Sequence, residues 1–225
     1  MSTAGPVTTR VEPAELLYGR LLASVAAGAP AEGRVRLAGG GAYPLPIDRW
    51  LAPVDAVDRA VLEHALEPVL DIGCGPGRHL AALAASGRAG LGLDLSPVAV
   101  RLARARGADA MLRSVFANVP RPGTWRTALL LDGNIGIGGQ PGALLLRARA
   151  LVARGGRVLV ETGRPGAPAR RHRVRLESQG AMSPWFHWAT VGADALPDLA
   201  LAVGLVPRER FGADGRWFWQ LDRMR

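Results

Sequence analysis

The sequence predicts an α/β fold, a mostly parallel sheet with helices on both faces, preceded by a cap and completed by a C-terminal antiparallel hairpin. Three observations carry this reading. From residue 69 onward, short apolar runs such as VLDI, GLGLD and RVLVE alternate with helical stretches, the pattern of strands buried on both faces. The first run enters a glycine-rich turn, GCGPG, and a helix follows it. The chain ends on VPRERF and RWFWQLD around GADG, two strand-like segments joined by a tight-turn sequence. At 225 residues there is room for one such domain with a full core.

Residues 1–12 are small and polar, with too little apolar surface to offset the entropy of ordering them, and are expected to form a disordered tail. Residues 13–58 are read as a cap of helical and extended pieces. In it, PAELLYGRLLASVAAGA sets Leu16, Leu17, Leu21 and Leu22 at helical spacing, and GAPAEG ends the helix. RVRL, GGGAYPLPI and DRWL read as extended pieces around a flexible turn. PVDAVDRAVLEHAL restores the helical period through Val54, Val57, Val61 and Leu62.

The principal domain is assigned to residues 59–225. PVLDI is its first strand and GPGRHLAALAASG the helix that follows. GLGLD is the second strand; in SPVAVRLARARG, Ser96 serves as N-cap and Pro97 as the first helical residue. DAMLR, TALLLD and RVLVE are the third, fourth and fifth strands. Between the last two, PGALLLRARALVARGG reads as a helix ended by glycine. Residues 163–192 are long for a connection, so extra strands are expected at 171–176 and 185–190, close to the cap. DALPDLALAVGL is a helix leading into the hairpin, where at least one strand should run antiparallel.

The net charge is +9, and all 28 basic residues are arginine. A charge of that size favours anionic partners without choosing among them. Arginine without lysine, beside abundant alanine and glycine, reflects a GC-rich coding bias, and no basic motif is interleaved with aromatics, so general nucleic-acid binding is not expected. The single cysteine, Cys74, excludes an internal disulfide. No run of about 18 apolar residues suggests a membrane span, and the N-terminus lacks the apolar core of a signal peptide. A cytoplasmic protein without a membrane partner is expected.

The chemistry lies in VLDIGCGPG. Asp71 ends a strand, and Gly73, Gly75 and Gly77 fill the turn, where the backbone must bend sharply and admit a ligand without a Cβ in the way. Asp94 ends the next strand 23 residues on, near the spacing of about 20 at which such folds bind ribose hydroxyls. A dinucleotide fingerprint would need glycine where Arg78 stands, and the Asp71 carboxylate would repel a pyrophosphate. S-adenosylmethionine carries a sulfonium and an ammonium and no phosphate, so a carboxylate at the loop suits it.

These motifs resemble those of the class I S-adenosylmethionine-dependent methyltransferases, over roughly residues 60–225. The resemblance implies a Rossmann-like, seven-stranded, mostly parallel sheet. It also implies that Asp71, Gly73, Cys74, Gly75 and Gly77 form the loop around the methionine and ribose parts. It places Asp94 on both ribose hydroxyls and Leu95 beside adenine. The family often has an aspartate after the third strand for the adenine amino group; this chain has Ser114, followed by Val115. At the carboxyl end of the fourth strand, Asp132 is assigned to the cofactor side and Asn134 is the catalytic candidate, either orienting the acceptor, the favoured reading, or satisfying the backbone of the glycine-rich loop. The Asn or Asp followed by two prolines and an aromatic, found in enzymes that methylate base amino groups, is absent, which disfavours a nucleic-acid base as substrate.

The expected activity is therefore methyl transfer to a small-molecule acceptor, with no metal site. A non-catalytic binding module of the same fold is the alternative, and a nicotinamide oxidoreductase a weaker one. Bland roles stand beside several further residues. Cys74 reads as a packing group ahead of a nucleophile, His79 as packing or solvated ahead of a substrate or cofactor role, and Arg78 as solvated or paired with the cofactor carboxylate. Tyr18 resembles the aromatic that some family members place over the cofactor, with helix packing the favoured reading. Arg171, Arg173 and Arg175 share a strand face that is either a solvated edge or a phosphate patch. Trp185, Phe186, His187 and Trp188 either pack on their own sheet or line an apolar acceptor pocket.

Overall fold

The structure, a computed structural model, describes residues 10–224. It opens with β1 (Arg10–Val11), α1 (Ala14–Ala26), β2 (Arg34–Leu37), β3 (Ala42–Pro44), α2 (Ile47–Leu51) and α3 (Ala56–Glu63). Helix α3 starts on a capping box in which Asp55 accepts from the Asp58 amide at 2.7 Å and Asp58 accepts from the Asp55 amide at 3.1 Å. The core continues through β4 (Val69–Ile72), α4 (Arg78–Ala85), β5 (Gly90–Asp94), α5 (Pro97–Ala105), β6 (Ala110–Leu112) and β7 (Trp125–Leu130). Ser96 caps α5 by accepting from the Ala99 amide, with Pro97 in the first turn, as its sequence predicts.

A 3-10 segment (Asn134–Gly139), α6 (Pro141–Leu151) and β8 (Val152–Thr162) follow. Then come β9 (Arg170–Ser178), β10 (Ala181–Met182), β11 (Phe186–Thr190) and α7 (Leu196–Ala202), and the chain closes on β12 (Leu205–Ala213) and β13 (Arg216–Arg223).

Seven strands form the central sheet in the order β12-β13-β8-β7-β4-β5-β6. The pairs from β8 to β6 are parallel, and β13 runs antiparallel to both neighbours. The final hairpin turns through Asp214 (φ 52°) and Gly215 (φ 76°), the left-handed pair of a tight two-residue turn. One face of the sheet packs Leu144, Leu145 and Leu151 of α6 with Leu196 of α7. The other packs Val61, Leu62, Leu80, Leu83 and Val100 of α3, α4 and α5. Strand order reverses at β4, so a crevice opens beyond the carboxyl ends of β4 and β7, the usual ligand position in open α/β sheets.

A second sheet stands over that crevice. Its order is β1-β10-β9-β2-β3, with β11 also paired to β9. It joins the N-terminal segment to the 163–192 segment: β2 and β9 pair antiparallel from Arg34–Glu177 to Leu37–Val174. Leu17, Leu21 and Leu22 of α1 pack with Val35, Val174 and Leu176 of this sheet, and Ala99 of α5 joins the same cluster. The cap is therefore built from two distant stretches of chain and rooted in the core through α5.

Three local expectations change. The tail expected at residues 1–12 lies largely outside the described residues, but Arg10–Val11 pair in parallel with Ala181–Met182, and buried Glu12 holds Arg20 at 2.5 Å. DRWL is helical in α2, because fully buried Ile47 anchors a single turn after Pro46. The helix expected through residue 156 stops at Leu151: Val152, also fully buried, pairs with Trp125, and the strand bulges before Arg157 takes Thr127 as partner.

Candidate active site

The glycine turn after β4 is held from both sides. The amides of Gly73 and Cys74 donate to the Leu93 carbonyl at 2.8 and 3.0 Å, tying the loop to β5. From below, the Asn134 side-chain amide donates to the carbonyls of Ile72 and Gly73, both at 2.9 Å. Gly73 (φ 75°) has no room for a side chain, since a Cβ there would lie 2.7 Å from Asn134 Nδ2. Asn134, assigned from sequence to the acceptor, thus has its amide nitrogen engaged by the loop. Gly75 (φ 53°) opens upward, and a Cβ on it would come within 3.0 Å of the Tyr18 hydroxyl.

Gly77 and Asp71 serve elsewhere. Gly77 (φ 80°) begins α4, and its missing side chain admits Ala103 of α5, 2.7 Å from where a Cβ would be. Asp71, only 1% exposed, turns away from the cleft toward His79. The Cys74 thiol packs behind the loop against Gly92. Burial, reinforced by Asp71 and Asp94, pushes it well above the usual thiol range, so it is an unreactive packing group.

Asp94 sits at the cleft with both oxygens partly used: Oδ2 accepts from the Gly75 amide at 2.9 Å and Oδ1 from the Ser96 amide at 2.8 Å. Burial raises its pKa, against the pull of those backbone donors. Each carboxylate oxygen retains a lone pair for a further donor. Leu95 is exposed beside it, and Ser114 and Val115 line the same end of the cleft. Ser114 Oγ accepts from the Phe116 amide at 3.2 Å and shapes the loop after β6.

Asp132, in a left-handed conformation (φ 54°), belongs to an ionic cluster that no local sequence pattern announces. Arg78, expected to be solvated or on the cofactor, is 5% exposed and bridges Asp58 and Asp132, reaching Asp132 at 3.0 Å. Arg216 of β13 binds Glu161 through two nitrogens at 2.8 and 2.9 Å and Asp58 at 2.7 Å. Glu161 also accepts from the Asp132 amide at 2.7 Å, and Arg49 lies 3.4 Å from Asp132. His79 is wedged between Asp58 at 3.6 Å and Asp71 at 3.7 Å. Burial opposes its protonation, but the two carboxylates prevail and lift its pKa to about 9. Protonated His79 and the three arginines then balance four carboxylates.

The loop, the strand ends and the inner face of the cap sheet enclose a cavity of about 1140 Å³. Its cap side is apolar and aromatic, with Tyr18, Trp50, Phe186 and Trp188 among the lining groups. Tyr18 meets Trp50 edge-on with centroids 5.7 Å apart, and Phe186 meets Trp188 edge-on at 6.4 Å. Of the two readings of the 185–188 segment, both hold for Phe186, His187 and Trp188, which pair in β11 and stand on the cavity wall, while Trp185 lies outside both. Arg171 and Arg173 are exposed on β9, while Arg175 pairs with Glu177 and lies over the Trp185 ring. Among the described residues no cluster of metal-ligating side chains occurs, and no helix is long and apolar enough to cross a membrane.

A family model described as a methyltransferase domain matches residues 69–120, from β4 past β6. Over nearly the whole chain the fold is that of an S-adenosylmethionine-dependent methyltransferase from Bacteroides fragilis, solved with S-adenosyl-L-homocysteine. The match has a TM-score of 0.79 and 23% identity and covers 97% of this chain and 99% of that one. The fold is that of a class I methyltransferase domain. Its fold is shared with the CcbJ methyltransferase of Streptomyces caelestis, with TM-score 0.62, 17% identity and 94% and 99% of the two chains covered. A third similar structure is the 1,6-didemethyltoxoflavin-N1-methyltransferase of Burkholderia thailandensis, with TM-score 0.55, 18% identity and 75% and 76% covered. Among curated proteins, none matches the sequence. Class I methyltransferase domains take S-adenosylmethionine as methyl donor. The fit here rests on the Asp94 carboxylate at the cleft, the open face of Gly75 and the Tyr18 hydroxyl above it.

Proposed function

We propose that this chain transfers a methyl group from S-adenosylmethionine to a small-molecule acceptor enclosed between the central sheet and the cap sheet. The observation that carries the reading is a single cavity with two unlike ends. Gly73, Gly75 and Asp94 stand at one end, and the aromatic wall of the cap at the other. Its volume of about 1140 Å³ exceeds the roughly 300–1,000 Å³ of a one-ligand pocket, which leaves space for donor and acceptor together.

When bound, S-adenosylmethionine supplies a methyl carbon already activated by its sulfonium. The chain's own work is alignment and exclusion of water. Asp94 accepts from the ribose hydroxyls, Leu95, Ser114 and Val115 flank adenine, and Gly73 and Gly75 let the backbone approach the methionine part. Asn134 keeps the loop in shape, and Asp132 anchors the floor through Arg78. Two of the similar structures are named for small acceptors, the didemethyltoxoflavin enzyme and a sugar N-methyltransferase from Streptoalloteichus, and they support the same substrate class here. A cytoplasmic setting suits a diffusible donor and acceptor.

Calorimetry with S-adenosylhomocysteine, followed by its release from S-adenosylmethionine against a metabolite panel, tests the reading. Binding in the micromolar range and turnover with at least one small molecule are expected. Folded protein that ignores millimolar S-adenosylhomocysteine would refute it, and binding without turnover on any acceptor would leave a binding module.

A further inference from the structure

Inside its rim, the acceptor end of the cavity offers no free charge. Asp132 and Glu161 face it, but Asp132 is held by Arg78 and Arg49, and Glu161 by both donors of Arg216. Arg78 and Arg216 are in turn bound by carboxylates, Arg49 is not on the cavity wall, and Arg113 lines the opposite end beside Ser114, so no free cation stands at the acceptor end. Burial, with Asp94, Cys74 and Asp132 nearby, pushes the Tyr18 phenol well above its usual range, and burial raises Tyr43 as well. Both phenols stay neutral near pH 7. His79 is not on the cavity wall, and Glu15 and His187 are exposed at its rim. Trp50, Val174, Leu176, Phe186 and Trp188 make up most of the remaining wall.

This lining restricts the nucleophile. An anionic acceptor would give up hydration without gaining a cation. A neutral alcohol, or a strongly basic amine that arrives protonated, would need a proton acceptor beside the inner aromatic wall, and Glu15 and His187 stand only at the rim. A lone pair on an uncharged, weakly basic nitrogen needs neither.

We propose that the acceptor is an apolar small molecule with a flat ring, seated against Trp50, Phe186 and Trp188, and methylated on a weakly basic nitrogen, either an aromatic amine or a ring nitrogen. The proposal rests on the methyltransferase reading above. The nitrogen lone pair forms the new carbon–nitrogen bond while the sulfur–methyl bond breaks, and its electron pair remains on sulfur. Positive charge passes to nitrogen beside aromatic faces that favour it. If the nitrogen bore hydrogen, its proton leaves to bulk water after release.

Four probes of similar size separate the possibilities: para-butylaniline, phenylbutylamine, para-butylphenol and para-butylbenzoate. Binding is read by tryptophan fluorescence on the full chain loaded with S-adenosylhomocysteine, and methylation by product release from S-adenosylmethionine. The aniline should bind about tenfold more tightly than the benzoate or the alkylamine and should alone be methylated. Phe186→Ala should weaken aniline binding about fivefold while S-adenosylhomocysteine affinity stays within about twofold. Equal or tighter binding of benzoate or alkylamine would overturn the proposal. So would methylation of the phenol, an aniline that binds without reacting, or no probe binding to protein that holds S-adenosylhomocysteine. If His187→Gln lost turnover that higher pH restored, a protein base would be at work and the proposal would fall. Failure to bind S-adenosylhomocysteine itself would strike the donor reading instead.

Discussion

Asp94 and Asn134 show how one loop divides its tasks between two side chains. Asp94 grips Gly75 and Ser96 and keeps two acceptor positions toward the cleft. Each charge-assisted hydrogen bond it makes to a ligand is worth about 1.5–3 kcal/mol. Asp94→Ala should therefore weaken S-adenosylhomocysteine roughly 10- to 150-fold for each such bond lost, as titration calorimetry would show. A change below about twofold would remove Asp94 from the ribose site. Asn134→Ala strands two carbonyls of the loop, at a cost of about 1–3 kcal/mol in stability, with cofactor affinity falling alongside. Loss of turnover with both quantities intact would return Asn134 to the acceptor. Loop and Asp94 were legible in the sequence because the strand ends and the glycine spacing that define them are local in the chain. The particular carbonyls that Asn134 holds were not legible, because they lie 61 and 62 residues away and nothing near it in sequence names them.

At the scale of elements, the parallel core was readable because strands buried on both faces leave unbroken apolar runs. The end of α6 was not: helical apolar spacing continues across Leu151 and Val152, and only the pairing of Val152 with Trp125 turns the chain extended. The strands of the 163–192 segment were visible in outline, but their partners β2 and β1 were beyond any local signal. The join between cap and core also depends on Gly136 in the 3-10 segment, where a Cβ would lie 2.3 Å from both the Ala189 carbonyl and Trp188 Nε1 of β11. Gly136→Ala should force β11 away and cost about 1–3 kcal/mol in thermal stability. Acceptor KM should rise while S-adenosylhomocysteine binding holds. Unchanged melting would show that β11 is not seated on this turn.

For the whole molecule, the ionic cluster ties α3, α4, three strand ends and the final hairpin together, with Arg216 reaching Asp58 across 158 residues. Within it, the folded-state pKa of His79, about 9, stands above the ordinary 6.5. The folded protein thus holds this proton more tightly than the unfolded chain, so the contribution is complete below pH 6.5 and is lost as pH rises through 9. Denaturant titrations should show stability falling across that window by on the order of 3 kcal/mol. His79→Gln should flatten the slope. A wild-type slope that persists in the variant would place the titrating group elsewhere.

The cap sheet has a consequence for how this chain comes into being. Arg36 and Glu177, which bind each other across β2 and β9, are 141 residues apart. On a ribosome adding about 5–20 residues each second, β2 therefore emerges roughly 7–28 s before the strand that will complete it. Through that interval its backbone edge has no native partner and is open to association with other nascent chains. Arg34 and Arg36, which alternate along β2, place positive charge on that waiting edge. Charge at alternate positions of an unpaired strand disfavours such association.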